Sequence, residues 1–402
     1  MEKDKGIANK MMLTGNYAAA YGAKLARVDT IPVYPITPQT SVLEKIIALI
    51  RQGELDAEYI PMESEHSVMA AAVGAEATGV RVFTSSTSQG LAYMHENLYV
   101  ASGLRLPIVM AVPNRPIGPP VQLLADHSDS LDQRDTGWIQ YYVEDAQEVM
   151  DTVVQAFKVA EHKDVLLPAM VCYEGFIISH FLEPVEIPDQ QLVDEFLPTY
   201  SPDHVVLDPD NPMRIQVLTT DLYFMEYKYQ LQEAMDNAKI MIKTVDAEFG
   251  ERFGRSYGGL VQPYRMDDAE IAVLSMGSIA GLSRNAVDSM RSEGLSVGSL
   301  KVRVFRPFPA EDLLEQLKSV KIIVVFDRDA SIGMGGILYS ETAGVIFNLP
   351  TSPTMTNYII GLGGREVNSN DIKSLVKEAI RKPKRGSVER PIRWVGVRGL
   401  SE

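Results

Sequence analysis

Through residues 16–180 the chain alternates short apolar, β-branched runs with longer stretches whose apolar positions recur at helical spacing. The short runs predict strands at 30–34, 57–61, 81–84, 108–112 and 167–172, and the longer ones predict helices at 17–27, 41–50, 67–78, 90–100 and 146–161. Strict alternation of this kind predicts an α/β fold with a mainly parallel sheet covered on both faces. Such sheets take ligands at the carboxyl ends of their strands.

Between 181 and 265 the alternation stops. Prolines at 184, 188, 198, 202, 209 and 212 break the chain, and a long helical stretch follows at about 222–248, which reads as a connector packed against its neighbours or a partner chain. A second α/β unit begins near 266, with strands expected at 271–275, 299–305, 322–327 and 357–361 and helices at 281–293, 311–317, 336–347 and 372–381. The expected division is therefore 1–180, 181–265 and 266–402, two mainly parallel-sheet domains joined by an irregular and helical connector.

Composition narrows the function. The formal net charge of −15 argues against binding nucleic acid or an anionic membrane, which requires a concentrated positive field. The basic residues of the tail, among them Lys382, Lys384, Arg385 and Arg390, read as solvated or as a subunit contact. The amino terminus shows no apolar signal region and no run of about 18 apolar residues occurs, so a cytoplasmic protein is expected. A single cysteine, Cys172, lies in an apolar strand pattern and reads as a buried small hydrophobe. It cannot hold an iron–sulfur cluster, which takes about four thiolates.

Four polar segments fall at the predicted carboxyl ends of the first sheet: Tyr34-Pro35-Ile36-Thr37-Pro38, Met62-Glu63-Ser64-Glu65-His66-Ser67, Thr87-Ser88-Gln89-Gly90 and Pro113-Asn114-Arg115. From the residues alone, Ser64 before Glu65 is a helix amino terminus with acids on its dipole, Ser88 and Gln89 fit a helix cap, and Arg115 could be a surface charge. Asp126-His127-Ser128-Asp129 lacks the spacing of a zinc motif and reads as a polar loop network, with His127 and His66 as possible proton carriers. Gly333-x-Gly335-Gly336 and Gly361-x-Gly363-Gly364 follow strands but match no dinucleotide or P-loop pattern, so nucleotide binding there is only weakly indicated.

In that order and spacing, the four segments resemble the α subunit of a pyruvate:ferredoxin oxidoreductase, of the 2-oxoacid:ferredoxin oxidoreductase family, over about residues 13–367. The resemblance implies a transketolase-like thiamine-enzyme layout: a pyrimidine-binding domain and a transketolase C-terminal-like domain. It implies thiamine diphosphate as cofactor, with Glu65 hydrogen-bonded to N1′ of the aminopyrimidine, Ser88 and Gln89 near the same ring, and Arg115 and Thr37 holding the 2-oxoacid carboxylate. Glu63 is the neighbour to exclude. The chain has no Gly-Asp-Gly and no Asn-Asn pair, the elements that hold the diphosphate through Mg²⁺, so this is half of a cofactor site with no metal of its own. A β subunit is expected to bring the diphosphate half with Mg²⁺ and [4Fe-4S] clusters, alongside γ and ferredoxin-like δ subunits, with coenzyme A as acyl acceptor. The segment Pro116-Ile117-Gly118-Pro119-Pro120 departs from the small residues usual in the pyruvate enzymes, which leaves another 2-oxoacid, oxalate or branched-chain, as an alternative. A non-catalytic scaffold is a further alternative, although it would have no use for Thr37, Glu65 and Arg115 together.

Overall fold

A computed structural model describes residues 9–202, 204–215, 218–347, 349, 353–381 and 392–399. The tail residues Lys382, Lys384, Arg385 and Arg390 and the first eight residues lie outside these. One sheet has the order Val304–Arg306, Ile139–Tyr142, Ala169–Glu174, Val109–Asn114, Phe83–Ser85, and a bridge from Val82 to Thr30 continues it into the pair Thr30–Val33 and Glu58–Pro61. All pairings are parallel except that of Val304–Arg306. The central strands are buried along their whole length, which is why they read as unbroken apolar runs.

Helices pack tightly on this sheet. Thr14 caps helix Gly15–Leu25 by accepting from the amide of Tyr17, and Asp145 caps helix Ala146–Ala160 by accepting from that of Glu148. The two helices touch where Gly22 meets Val153: a Cβ at 22 would lie 2.7 Å from that of Val153, so only glycine admits the approach.

The second sheet has the order Ile392–Trp394, Thr354–Ile359, Ile322–Asp327, Ile271–Ser275, Val297–Val302, Val261–Tyr264, parallel but for the last strand. Helix Phe224–Phe253 lies along both units, with ion pairs from Glu248 to Lys158 (2.6 Å) and from Lys243 to Asp312 (2.6 Å). It ends at Gly254, whose left-handed φ of 73° suits glycine. Among the described residues, no helix is long and apolar enough to cross a membrane.

Two expected elements differ, and one strand pair was not expected. The strand expected at 299–305 is two strands, because after Val302 the chain crosses to the first sheet. Arg303, fully buried at the crossing, donates to Glu148 (3.0 Å), Thr152 (3.0 Å) and the carbonyl of Gly259 (3.1 Å). The helix expected at 90–100 divides at Met94 into Ser88–Tyr93 and His95–Gly103. An antiparallel pair, Asn9–Leu13 with Glu183–Ile187, stands apart from both sheets.

Candidate active site

The first turn follows strand Thr30–Val33. Asn16, fully buried, donates from Nδ2 to the carbonyl of Pro38 (2.7 Å) and to the Ser41 hydroxyl (2.7 Å), while Tyr173 donates to its Oδ1 (2.8 Å). Gln39 spans the turn, accepting from the amide of Ile36 and donating to the carbonyl of Ser85. Thr37 stays exposed at the tip, before a cis Thr37-Pro38 bond.

The second turn precedes helix Glu65–Glu76, where Ser64 caps by accepting from the amide of Ser67. The two acids here have opposite fates. Glu63 is exposed and accepts a bond from the Ser67 hydroxyl, which holds its carboxyl below the usual range. Glu65 is only 9% exposed, and among the described residues no donor or cation reaches its carboxylate. The space it occupies exists because residue 90 is glycine: a Cβ there would lie 2.5 Å from Oε1 of Glu65. With no protein donor on it, the carboxylate is left open to a donor on a ligand.

The third and fourth turns end strands Phe83–Ser85 and Val109–Asn114. Ser88 has a φ of 52°, and its hydroxyl donates to the carbonyl of Pro116 (2.7 Å) and bonds Oε1 of Gln89. Arg115 is 8% exposed, with Nη1 on the carbonyl of Thr37 (2.7 Å) and Nε on that of Gln122 (3.0 Å). Its guanidinium thus ties the fourth turn to the first and leaves Nη2 free of protein partners among the described residues. Burial lowers its pKa from 12.5, too little to remove the charge near neutrality.

The second unit braces this site. A Cβ on Gly364 would lie 2.4 Å from that of Leu124, and one on Gly363 would touch Gln122, the residue whose carbonyl receives Arg115. The Gly361-x-Gly363-Gly364 turn therefore serves close approach of the two units. In Gly333-x-Gly335-Gly336 a Cβ on Gly336 would overlap Asp327, the same kind of packing need.

His127 is buried with Nε2 3.3 Å from Glu174, whose carboxylate also accepts from the amide of Ser278 (2.9 Å), so the polar loop closes a junction between the two units. His66 is partly exposed, beside Tyr93 and 3.9 Å from Glu96. Among the described residues no cluster could hold a metal ion, and Cys172 is buried, with its thiol pushed well up by burial. Asn16 and Gln122 were not singled out from the sequence. Asp129 carried a signal there, as one member of the polar loop.

Thr37, Glu65, Ser88 with Gln89, and Arg115 thus share one edge of one sheet, an arrangement of the thiamine-enzyme class of α/β proteins. The fold agrees: the structure of 2-oxoglutarate:ferredoxin oxidoreductase from Magnetococcus marinus with 2-oxoglutarate, coenzyme A and succinyl-CoA bound matches at a TM-score of 0.71 and 17% identity, covering 93% of this chain and 66% of that one. A split-gene transketolase, an inactive β4 tetramer, matches at 0.52 and 12% identity, covering 90% of this chain and 97% of that one. Residues 21–247 match the family described as pyruvate flavodoxin/ferredoxin oxidoreductase, thiamine diphosphate-binding, and residues 269–372 match pyruvate:ferredoxin oxidoreductase core domain II. The chain belongs to the pyruvate:ferredoxin oxidoreductase family. It is 48% identical over 389 residues to pyruvate synthase subunit PorA of Methanocaldococcus jannaschii (96% of this chain, 98% of the relative) and 49% identical over 385 residues to ketoisovalerate oxidoreductase subunit VorA of Pyrococcus abyssi (96% and 97%).

Proposed function

We propose that the chain is the α subunit of a thiamine-diphosphate-dependent pyruvate:ferredoxin oxidoreductase working in the cytoplasm, with pyruvate and coenzyme A converted to acetyl-CoA and CO₂ and two electrons passed to ferredoxin. The observation that carries the reading is Glu65, 9% exposed and with no protein donor on its carboxylate among the described residues, in a space that Gly90 keeps open. A donor set of this kind fits the aminopyrimidine. Glu65 would hold a proton against N1′, with Ser88 and Gln89 beside the ring. When bound, thiamine diphosphate supplies the nucleophilic carbon that adds to the keto group and takes up the electron pair left by CO₂. Arg115 would hold the substrate carboxylate with Nη2, and Thr37, at the tip of the facing turn, would close the clamp.

The other half of the site belongs to a partner. No Gly-Asp-Gly or Asn-Asn pair stands in the sequence, and one cysteine cannot hold a cluster, so Mg²⁺ and the [4Fe-4S] clusters belong to a β subunit, with γ and ferredoxin-like δ subunits completing the complex. The similarity to a ketoisovalerate oxidoreductase subunit supports a second reading, the same chemistry on a branched-chain 2-oxoacid. Ferredoxin reduction by the assembled complex, with pyruvate, 2-ketoisovalerate and oxalate in turn and coenzyme A present, decides. A higher kcat/KM for pyruvate is expected, a higher one for 2-ketoisovalerate establishes the second reading, and no reduction with any of them refutes both.

A further inference from the structure

We propose that Asp129 is a positioning residue: one buried carboxylate that fixes the cofactor-side turn at Ser88 against the substrate-side turn at Arg115. The proposal rests on the reading of those turns given above and adds what holds them in register. Strands Phe83–Ser85 and Val109–Asn114 pair from Phe83↔Val109 to Ser85↔Ala111, and one more bond, from the amide of Ser86 to the carbonyl of Ala111, closes the ladder. Beyond it the two chain segments separate, and the residues that matter lie beyond it.

Asp129 takes over there. It lies in the short helical turn Ser128–Leu131 and is fully buried. Its Oδ2 accepts from the amide of Ser88 (2.9 Å) and from the amide of Arg115 (3.1 Å), and its Oδ1 accepts from Nδ2 of Asn114 (2.8 Å) and from the amide of Ser130 (2.8 Å). The hydroxyl of Thr87 stands 3.3 Å from Oδ2 and donates to the carbonyl of Pro113, adding another tie between the turns. Ser88 holds a left-handed φ of 52° that an L-residue adopts reluctantly, and the bond to Asp129 holds it there. Only an acceptor at both oxygens serves four donors. Asparagine has one acceptor oxygen and would turn an NH₂ either on the amides of Ser88 and Arg115 or on Asn114 and Ser130.

The test is Asp129→Asn in the assembled complex. Binding of oxamate, an unreactive analogue of the 2-oxoacid, is measured by calorimetry, and protection of the Ser88 and Arg115 amides by hydrogen exchange. Loss of register should weaken oxamate by about tenfold or more, the scale of one lost hydrogen bond to a charged group. It should also expose both amides to exchange, while the amides of Val109 to Val112 stay protected. Wild-type oxamate affinity with both amides exposed would overturn the proposal, as would exposure that spreads through Val109 to Val112, the mark of a merely structural role. If Asp129→Asn does not assemble, Asn114→Ala removes one donor from the same carboxylate, and about fivefold weaker oxamate is then expected; unchanged oxamate affinity overturns the proposal equally. Arg115→Ala separates the two claims. If it leaves oxamate affinity intact, the assignment of the substrate site fails, whereas an effect there without one at Asp129 sinks only the positioning role.

Discussion

Replacing Gly90 by alanine should barely disturb the fold and severely disturb the site. Gly90 lies in helix Ser88–Tyr93, where alanine is ordinarily favoured over glycine by about 1 kcal/mol. Here the new Cβ would stand 2.5 Å from Oε1 of Glu65, 2.8 Å from its Cγ and 2.8 Å from the Ser86 hydroxyl. Ordinary contact begins near 3.4 Å, so the carboxylate has to retreat by about 0.9 Å. The end of a flexible side chain gives way cheaply, and a local overpacking cost of about 1–3 kcal/mol, offset by the gain in helix propensity, leaves a net loss of no more than about 2 kcal/mol. Misplacing a reacting group by about 1 Å costs on the order of a hundredfold in rate. Thermal melting of the complex measures the first effect, and exchange of the thiamine C2 proton in deuterated buffer measures the second. Gly74→Ala is the control: it lies in the same helix as Glu65 with nothing within 4 Å of its Cβ, and should stabilise by up to about 1 kcal/mol while exchange is unchanged. Wild-type exchange in Gly90→Ala would refute the link between Gly90, Glu65 and the cofactor.

Other perturbations probe the same site. Glu65→Gln keeps the shape but removes the acid, so C2 exchange should fall by about a hundredfold or more, and a wild-type rate would transfer the role to Glu63 or another chain. Arg115→Ala keeps the backbone bond to Asp129 but loses those to Thr37 and Gln122, and should lower kcat/KM for the 2-oxoacid by on the order of 3 kcal/mol with thiamine affinity unchanged; an unchanged KM and rate would mark Arg115 as structural. Burial pushes Asp129 up to about 6 against the donors that lower it, so protonation below that pH removes an acceptor and should raise the KM for 2-oxoacid, an acid limb absent from Asp129→Asn. The groups facing it do not titrate there: Arg115 stays cationic, and burial raises both Tyr142 and Cys172. Glu174 behaves oppositely: burial raises it, but His127, Arg328 and Ser278 together bring it below its ordinary 4.5. Its contribution to stability is therefore present above 4.5 and lost as pH falls through its lower folded value, and Glu174→Gln should flatten that part of a denaturation-versus-pH curve.

The sequence by itself determined most of the strand and helix alternation and the mainly parallel character of the sheets, though not the inner strand Ile139–Tyr142. The physical reason is that strands buried on both faces must be apolar throughout, and the turns that end them carry the polar residues. Thr37, Glu65, Ser88, Gln89 and Arg115 each follow a strand in a short segment of their own, and the resemblance to the family, rather than their position, proposed their roles. What the tertiary structure decided is how those segments meet. Asn16 and Pro38 lie 22 positions apart, and Asp129 reaches Ser88 across 41 positions through bonds that no local pattern encodes. That Glu65 is buried with no protein donor on its carboxylate among the described residues, while Glu63 is exposed and bonded, depends on the empty Cβ position at Gly90, on a different helix. The crossing at Arg303 escaped the sequence because Val304–Arg306 continues the apolar run of Val297–Val302, and which sheet a strand joins is set by the buried acid waiting for its guanidinium. Periodicity reports which residues face inward, and only packing reports what they face.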